Sequence, residues 1–371
     1  MIKVLQSVSS LGIGGNELSV MNFFRNIDKT QFQVDFLIYD ERLEFAEEVK
    51  AAGAKIYLCP QKKTNKLARI FNEAKFVYRT LRKNDYDIIH CNGCSFVNIL
   101  RAVLPAKLAG NVKVISHSHN VGNAPGNVIE KAARQFLKWL LSSTVDLGFT
   151  CSDLAGASKY TKSFIESKKY ILINNAVKVE KYLFSQANRD EIRNRYGIAD
   201  KCVVGHVGRL AEQKNQGFLL NLFADCWKDD TKMALLLVGG GAMEMELKEK
   251  AEALGICDKV IFTGSVFDAE KYYSAMDVFV MPSLYEGLPF TAIEAQVNGL
   301  KCVLSDEITK TANVSGDVVY LPLAAEKAVW ADVVAKQAEK RSEADSTEKV
   351  IINYDINKET QKLQRIYREI V

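Results

Sequence analysis

Two glutamates, Glu286 and Glu294, stand eight positions apart in PSLYEGLPFTAIEAQVNG, residues 282–299. Pro289 suits the first position of a helix and Gly299 suits its exit, so the pair straddles a helix start. Unpaired backbone N–H groups at such a start, together with the positive end of the helix dipole, make an anion site. One carboxylate would precede the anion and the other would lie one to two turns behind it. Ionised carboxylates only accept hydrogen bonds, and they take hydroxyl hydrogens well. A ligand with a phosphate centre and hydroxyls on either side fits this pattern, and a nucleotide sugar is such a ligand. Taken alone, the spacing also describes an exposed helix with two solvated glutamates.

A second group of residues adds positive charge. GHVGRLAEQKNQG places Arg209 at the end of a strand and Lys214 in the loop that follows. Open α/β sheets bind ligands at the carboxyl ends of their strands, and a planar guanidinium fork beside an ammonium suits a diphosphate. A solvated loop is the competing reading. Gly239 to Gly241, after MALLLV, repeat the strand-to-glycine arrangement, either for a ligand or as a turn. Near the N-terminus Gly12, Gly14 and Gly15 lie between a strand and a helix, where the backbone either approaches a ligand or turns tightly. LGIGGNELS lacks the third glycine of a dinucleotide fingerprint.

His117 and His119 alternate with Ser116 and Ser118 at a strand end, so both histidines share a face that could address a ligand. His90 and His206 lie inside apolar strands and read as packed core. Cys91 and Cys94 form a C-x-x-C beside His90, the spacing of a redox pair or half a metal site. No second pair follows at zinc spacing, which favours structural use. Asp85 and Asp87 resemble a metal-holding pair but precede the strand DIIHC, away from its binding end. Without a divalent ion, Arg209, Lys214 and the helix start near Phe290 must neutralise the phosphates.

These residues need elements to hold them. The chain has 371 residues, 48% of them hydrophobic, enough for roughly two domains. In the first half the strand-like runs IKVLQSV, QVDFLIYD, KIYLC, DIIHC and VKVISHSH alternate with helical periodicity. KCVVGHVGRL, MALLLVGGG, KVIFTGS, DVFVMPS and KCVLSD begin the pattern afresh in the second half. Repeated β-α crossover implies two parallel sheets covered by helices, an α/β chain of two doubly wound halves joined near ILINNAVKVEKY, with ligands held in a cleft between them. The boundaries fall at residues 1–175 and 176–355, followed by a charged amphipathic helix.

Net charge is +4, from 49 Lys+Arg against 45 Asp+Glu, too mild to indicate nucleic acid. No apolar run approaches the ~18 residues that span a bilayer, and MIKVLQSVSSLGIGG reads as a first strand, so the expected location is the cytoplasm. Eight cysteines scattered through apolar runs argue against a disulfide framework. Positive charge does concentrate in residues 62–83, where Lys62, Lys63, Lys66, Arg69, Lys75, Arg79, Arg82 and Lys83 face Glu73 alone. Leu67, Ile70, Phe71, Ala74, Val77, Tyr78 and Leu81 fall on one helical stripe there, which reads as core, while the charges permit reversible attachment to anionic lipid.

In combination, GGNE (14–17), the strand-end histidines, GRLAEQKN (208–215), FTGSV (262–266) and EGLPFTAIEA (286–295) resemble the retaining nucleotide-sugar glycosyltransferases of family four, over nearly the whole chain. The resemblance implies a GT-B architecture of two Rossmann-like domains facing each other across a cleft, with the last helix, about residues 356–371, crossing back to the first. It gives Arg209 and Lys214 the donor diphosphate, Glu294 the ribose hydroxyls and Glu286 the transferred sugar. Backbone groups of Gly287, Leu288, Phe290 and Thr291 would support phosphates or sugar, Ser265 and Val266 would border the base, and Gly14 and Gly15 would let the first-domain loop approach the donor. His119 matches the active-site histidine, with His117 as a rival register; with Arg209, Lys214 and Glu286 it completes the catalytic set. The hinge departs from the family, reading NNAVK where Asn-Gly-Val-Asp is common.

By the same resemblance, the anomeric configuration is retained by attack from the face the nucleotide leaves, and the leaving phosphate takes the acceptor proton. No cofactor and no metal are implied. The substrates are a nucleotide sugar, of UDP type, and a polyprenyl-diphosphate-linked glycan in capsule or exopolysaccharide assembly, with peripheral placement on the inner face of the membrane. A nucleotide-sugar epimerase or a non-catalytic sugar-nucleotide-binding module on the same fold are the alternatives.

Overall fold

The computed structural model describes residues 1–371 except Ile13, residues 61–64, residues 120–126, Gly287 and the side chains of Val128 and Ile129. The chain divides into two compact units, Met1–Ala176 with Ile356–Val371, and Val177–Asp355.

In the first unit, apolar runs rich in Ile, Val and Leu form seven parallel strands: β1 (Ile2–Val8), β2 (Phe32–Ile38), β3 (Ile56–Leu58), β4 (Ile88–Asn92), β5 (Lys113–Ser118), β6 (Leu147–Thr150) and β7 (Tyr170–Leu172). Their order across the sheet is β3-β2-β1-β4-β5-β6-β7. Val4 pairs with Val34 on one side and Ile88 on the other. Successive residues point to opposite faces, so Val4, Ile88 and Ile115 pack in one apolar cluster while their neighbours Leu5, Ile89 and Val114 pack in another. Both faces are therefore covered, as all-parallel sheets require. The helix Ile356–Ile370 covers the first of these faces through Leu363, Ile366 and Tyr367.

The second unit repeats the plan with six strands: β8 (Cys202–Val207), β9 (Met233–Val238), β10 (Val260–Phe262), β11 (Val278–Met281), β12 (Cys302–Ser305) and β13 (Val318–Leu321), in the order β10-β9-β8-β11-β12-β13. Val203, Phe279 and Leu304 face one cluster, and Val204, Val280 and Val303 the other, around the buried Trp330. Each sheet reverses its winding once, between β1 and β4 and between β8 and β11. Crevices at such switch points, at the strand carboxyl ends, are where ligands of these sheets sit.

Asp87, which sequence pattern set apart from the binding end, has a structural task that Asp277 repeats in the second sheet. Asp87 Oδ2 accepts from Lys3 N at 2.8 Å, and Asp277 Oδ2 accepts from Val203 N at 2.7 Å, each stapling the strand that follows it to the first strand of its own sheet. Asp85 ends the helix Lys66–Asn84 with φ 45°. The apolar stripe of that helix departs from the sequence reading. Ile70, Val77 and Leu81 are buried, but Leu67 and Phe71 are 78% and 68% exposed and Tyr78 is exposed too. The seven apolar positions span a wider arc than the sheet can cover, so only its centre reaches the core. Lys62 and Lys63 lie outside the described residues.

Candidate active site

At the switch point of the second sheet, β8 ends at Val207 and the chain passes through Gly208 and Arg209 to the turn Glu212–Lys214, then the helix Gln216–Trp227. From β11 the chain runs through Pro282 to Glu286 and enters the helix Phe290–Val297. Pro289 caps this helix in an extended conformation, one position earlier than its fixed φ suggested, and Gly299 takes φ 77° just past the exit. The two loops are laced together: Leu284 N donates to Gln213 O at 2.9 Å, Gln213 Nε2 to Tyr285 O at 3.0 Å, and Asn215 Nδ2 to Pro282 O at 3.1 Å.

That lacing brings Lys214 Nζ to 2.6 Å from Glu286 Oε1, with both side chains largely buried. The contact is electrostatic but poorly aligned, so Glu286 Oε1 still lacks a hydrogen-bond partner among the described residues. Glu294 lies a turn inside the helix and accepts from Tyr273 Oη at 2.5 Å. Burial raises its carboxyl above the usual range, and hydrogen bonds from Tyr273 and Tyr182 only partly oppose this. Thr291 Oγ1, in the first helical turn, is buried with no partner among the described residues. Arg209 is exposed and makes no side-chain ion pair among the described residues. One partnered cation, one open cation and a helix start thus converge on one strand-end crevice.

The glycines after β9 explain how Arg209 is set so close to the sheet. A Cβ on Gly239 would fall 2.2 Å from Gly208 O, and one on Gly241 2.2 Å from Leu210 O. Only glycine lets these backbones touch, and Leu210 N donates to Gly240 O at 2.9 Å across the contact. From the other side Gln216 Nε2 donates to Arg209 O at 2.9 Å and meets His206 Nε2 at 3.2 Å. His206 Nδ1 is bonded to Val280 O, and burial lowers its pKa to about 4, so the ring stays neutral.

In the first unit, Gly14 caps the helix Gly15–Asn26 and Gly15 has open space where a side chain would be. His117, inside β5, and His119, just past its end, are buried, with ring centroids 3.9 Å apart. His119 Nε2 is 3.2 Å from Asn92 Oδ1, and His117 Nδ1 is 3.2 Å from His90 Nε2. Gln6 Nε2 donates to Tyr367 Oη, which leaves that hydroxyl hydrogen for His90 Nδ1, 2.6 Å away. Burial lowers all three histidines: His119 to about 4, His90 to about 3, and His117 well below its ordinary value, with His119 adding to the effect. Cys94 Sγ contacts Ser116 Oγ at 3.1 Å, and both Cys91 and Cys94 are free thiols raised by burial.

Two family profiles match the chain, one described as Glycosyltransferase Family 4 over residues 13–181 and one as Glycosyl transferases group 1 over residues 188–350. EpsF of Bacillus subtilis (strain 168), provisionally described as a glycosyltransferase, is 31% identical over 342 residues, 91% of this chain and 88% of EpsF. The chain belongs to glycosyltransferase family four. A UDP-Gal:alpha-D-GlcNAc-diphosphoundecaprenol alpha-1,3-galactosyltransferase of Escherichia coli is 28% identical over 242 residues, 62% of this chain and 60% of that protein. The crystal structure of Anabaena HepE in complex with UDP matches with a TM-score of 0.81 at 18% identity over 100% of both chains, which gives this glycosyltransferase the GT-B fold.

Within this family four enzyme, the structure gathers Arg209, Lys214, Glu286, Leu288, Phe290, Thr291 and Glu294 on the β8 and β11 ends of one sheet, and places His117 on β5 and His119 just past its end in the other unit. Gly287 lies outside the described residues. Ser265 is exposed beside Gly240, and Val266 packs on the core. Sequence reasoning passed over Gln216 and Tyr273, whose work is done through Arg209 and Glu294, and Phe267, a fully exposed ring next to Val266. An aromatic residue at the end of a glycine-serine turn was the available clue for Phe267.

Proposed function

We propose that this glycosyltransferase moves a hexose from a UDP-sugar, with retention of configuration and without a metal ion, to a polyprenyl-diphosphate-linked glycan in capsule or exopolysaccharide assembly. The observation that carries the reading is Lys214 held 2.6 Å from Glu286 at the mouth of the helix Phe290–Val297. Arg209, Lys214 and the helix N–H groups supply positive charge where it grows on the leaving diphosphate, and fixed charges of this kind are the largest catalytic term in many enzymes. With that charge built in, the departing phosphate can accept the acceptor proton and no separate base is needed. Glu286 takes hydroxyls of the transferred sugar, Glu294 those of the ribose, and Phe267 offers a face for the base beside Ser265 and Val266. His119, neutral because it is buried, orients the sugar as a hydrogen-bonding group rather than as a cation.

The UDP in HepE and the diphosphoundecaprenol acceptor in the name of the Escherichia coli relative support the donor and acceptor classes. No helix among the described residues is long and apolar enough to cross a membrane. A lipid-linked acceptor then calls for peripheral attachment, for which the exposed Leu67 and Phe71 among lysines and arginines are suited. The test is a thermal-shift screen of UDP-, GDP- and ADP-sugars followed by transfer of labelled sugar to undecaprenyl-diphosphate-linked N-acetylglucosamine. Stabilisation by UDP-sugars and EDTA-resistant transfer are expected. Stabilisation by GDP- or ADP-sugars alone would replace the donor, and loss of activity in EDTA would remove the metal-free chemistry.

A further inference from the structure

The helix Ile356–Ile370 reaches the strand-end histidines through one hydroxyl, that of the buried Tyr367. Every residue of the network it enters, Gln6, His90, Asn92, His117 and His119, belongs to the same unit as this helix. The network does more than fill a core, because the directions of its hydrogen bonds are all set by one atom.

A backbone carbonyl can only accept, so His90 O, 3.3 Å from Asn92 Nδ2, fixes which way the Asn92 amide is turned. The same Nδ2 donates to Gln6 Oε1 at 2.8 Å, which turns Gln6 Nε2 toward Tyr367 Oη at 3.2 Å. Having received that bond, the hydroxyl gives its own hydrogen to His90 Nδ1, 2.6 Å away. His90 therefore carries its hydrogen on Nε2 and donates to His117 Nδ1 at 3.2 Å. His117 is left with its hydrogen on Nε2, and each of these hydrogens is assigned by the network. Asn92 Oδ1 faces His119 Nε2 at 3.2 Å, which puts the hydrogen of that ring on Nε2 as well.

The relay is built to hold these states. Burial raises the Tyr367 hydroxyl, so it remains a donor, and burial lowers His90 and His117, so neither ring gains a second hydrogen. Phe149 sets its edge against both rings, with centroids 5.3 Å from His90 and 5.7 Å from His117. His117 Nε2 ends the relay: it is buried and has no hydrogen-bond partner among the described residues. An unmet buried donor is costly, and a sugar hydroxyl, which accepts as well as donates, meets it. His119 is already engaged at Nε2, and Asn175 reaches the same ring.

We propose that Tyr367 is a positioning residue: by donating to His90 Nδ1 it holds His117 in the tautomer whose Nε2–H donates to a hydroxyl of the transferred sugar, beside His119. The sugar in this inference rests on the transfer reading above, whereas the tautomers do not depend on it.

Long-range ¹H–¹⁵N correlation spectra of the full chain, labelled at its four histidines, test it. Wild type should show His90 and His117 protonated at Nε2, with the rings assigned through His90→Gln and His117→Gln. Tyr367→Phe keeps the buried ring and removes only the hydroxyl, and the Nδ1–H share of His117 should rise by about 10-fold, as for loss of one hydrogen bond. With the UDP-sugar that stabilises the chain as donor, kcat of this variant should fall by about 10-fold while its affinity for UDP, which carries no sugar to transfer, stays unchanged. His117→Gln, whose amide can donate from the Nε2 position, should transfer about 10-fold faster than His117→Asn, whose amide reaches only the Nδ1 position. His117 protonated at Nδ1 in wild type, tautomers unmoved in Tyr367→Phe, equal losses of turnover and UDP affinity, or equal rates in the two His117 variants would overturn the proposal. If Tyr367→Phe does not fold, the wild-type spectrum and the two His117 variants decide it. A wild type that transfers no sugar would count against the transfer reading alone, because the tautomers are read without substrate.

Discussion

Lys214 Nζ and Glu286 Oε1 lie 2.6 Å apart although their loops leave different strands, β8 and β11. The pair spans the point where the second sheet reverses its winding, so it is fixed by topology as much as by side-chain reach. A diphosphate entering there would meet a cation already ordered by a carboxylate, with little reorganisation left to perform. Lys214→Ala should lower transfer by ~10²-fold or more, as for loss of one transition-state charge. Steady-state rates on a variant with an unchanged circular dichroism spectrum check this, and turnover at the wild-type rate would remove Lys214 from the reaction.

Glu294 sets stability against binding. Its carboxyl is raised above 4.5, chiefly by burial, so the folded protein keeps that proton longer than the unfolded chain. Stability is therefore lost as pH rises through 4.5 toward the raised value, and stays lost above it. Glu294→Gln cannot ionise and should melt higher than wild type at pH 7.5 but not at pH 4, while binding UDP about 10-fold more weakly. Thermal melts at both pH values and a UDP titration read the two effects separately; an equal melting shift at both would refute the linkage.

Strands whose runs alternate with helical segments were legible because both faces of each sheet are buried, which forces continuous apolar runs such as VVGHV and ALLLV. Leu147–Thr150, Tyr170–Leu172 and Val318–Leu321 escaped notice: three or four residues are too few for periodicity to show, although the equally short Ile56–Leu58 and Val260–Phe262 were read. Arg209, Lys214, Glu286 and Glu294 stand out in the sequence because charge at a strand end or helix start is conspicuous. His206 read only as packing, since the hydrogen bond through Gln216 to Arg209 O depends on tertiary contact between β8 and the following helix. For the same reason the helix Lys66–Asn84 misled: spacing defines a stripe, but the neighbouring elements decide how much of it is covered.

All four histidines of the chain, His90, His117, His119 and His206, are buried, and burial lowers the pKa of each from 6.5. The unfolded chain takes up these protons first as pH falls, so stability should drop from about pH 6.5 downward, until the folded rings begin to titrate near 4. The slope is at most ~1.4 kcal/mol per pH unit for each histidine. Ring nitrogen NMR shifts should stay those of neutral imidazole from pH 7 to 5 while the melting temperature falls. A histidine that titrates near 6.5 in the folded protein would contradict the burial argument.

Phe267 is fully exposed and follows Ser265 and Val266 directly, so its ring contributes nothing to the core. Stacking of a base on such a ring contributes ~1–3 kcal/mol. Phe267→Ala should therefore weaken UDP binding by about 10-fold with no change in melting temperature of the free protein. Calorimetric titration with UDP, compared with uridine and with pyrophosphate, separates base from phosphate: the variant should lose affinity for uridine and keep it for pyrophosphate. Equal losses for both would place the ring elsewhere.

Leu67, Phe71, Lys75, Tyr78 and Arg82 follow one another at spacings of three and four on the outer face of the helix Lys66–Asn84, and all five are exposed. Apolar side chains at the N-terminal end and cations along the rest suit a bilayer surface, where each Lys or Arg near anionic headgroups adds ~1 kcal/mol and buried rings add their area. Flotation with phosphatidylglycerol vesicles should recover the protein, with little recovery on phosphatidylcholine alone. Phe71→Ser together with Leu67→Ser should abolish recovery without altering the fold, because neither side chain packs inward. Equal recovery on neutral and anionic vesicles would discard the attachment, and recovery that persists in the double variant would move it to another face of the protein.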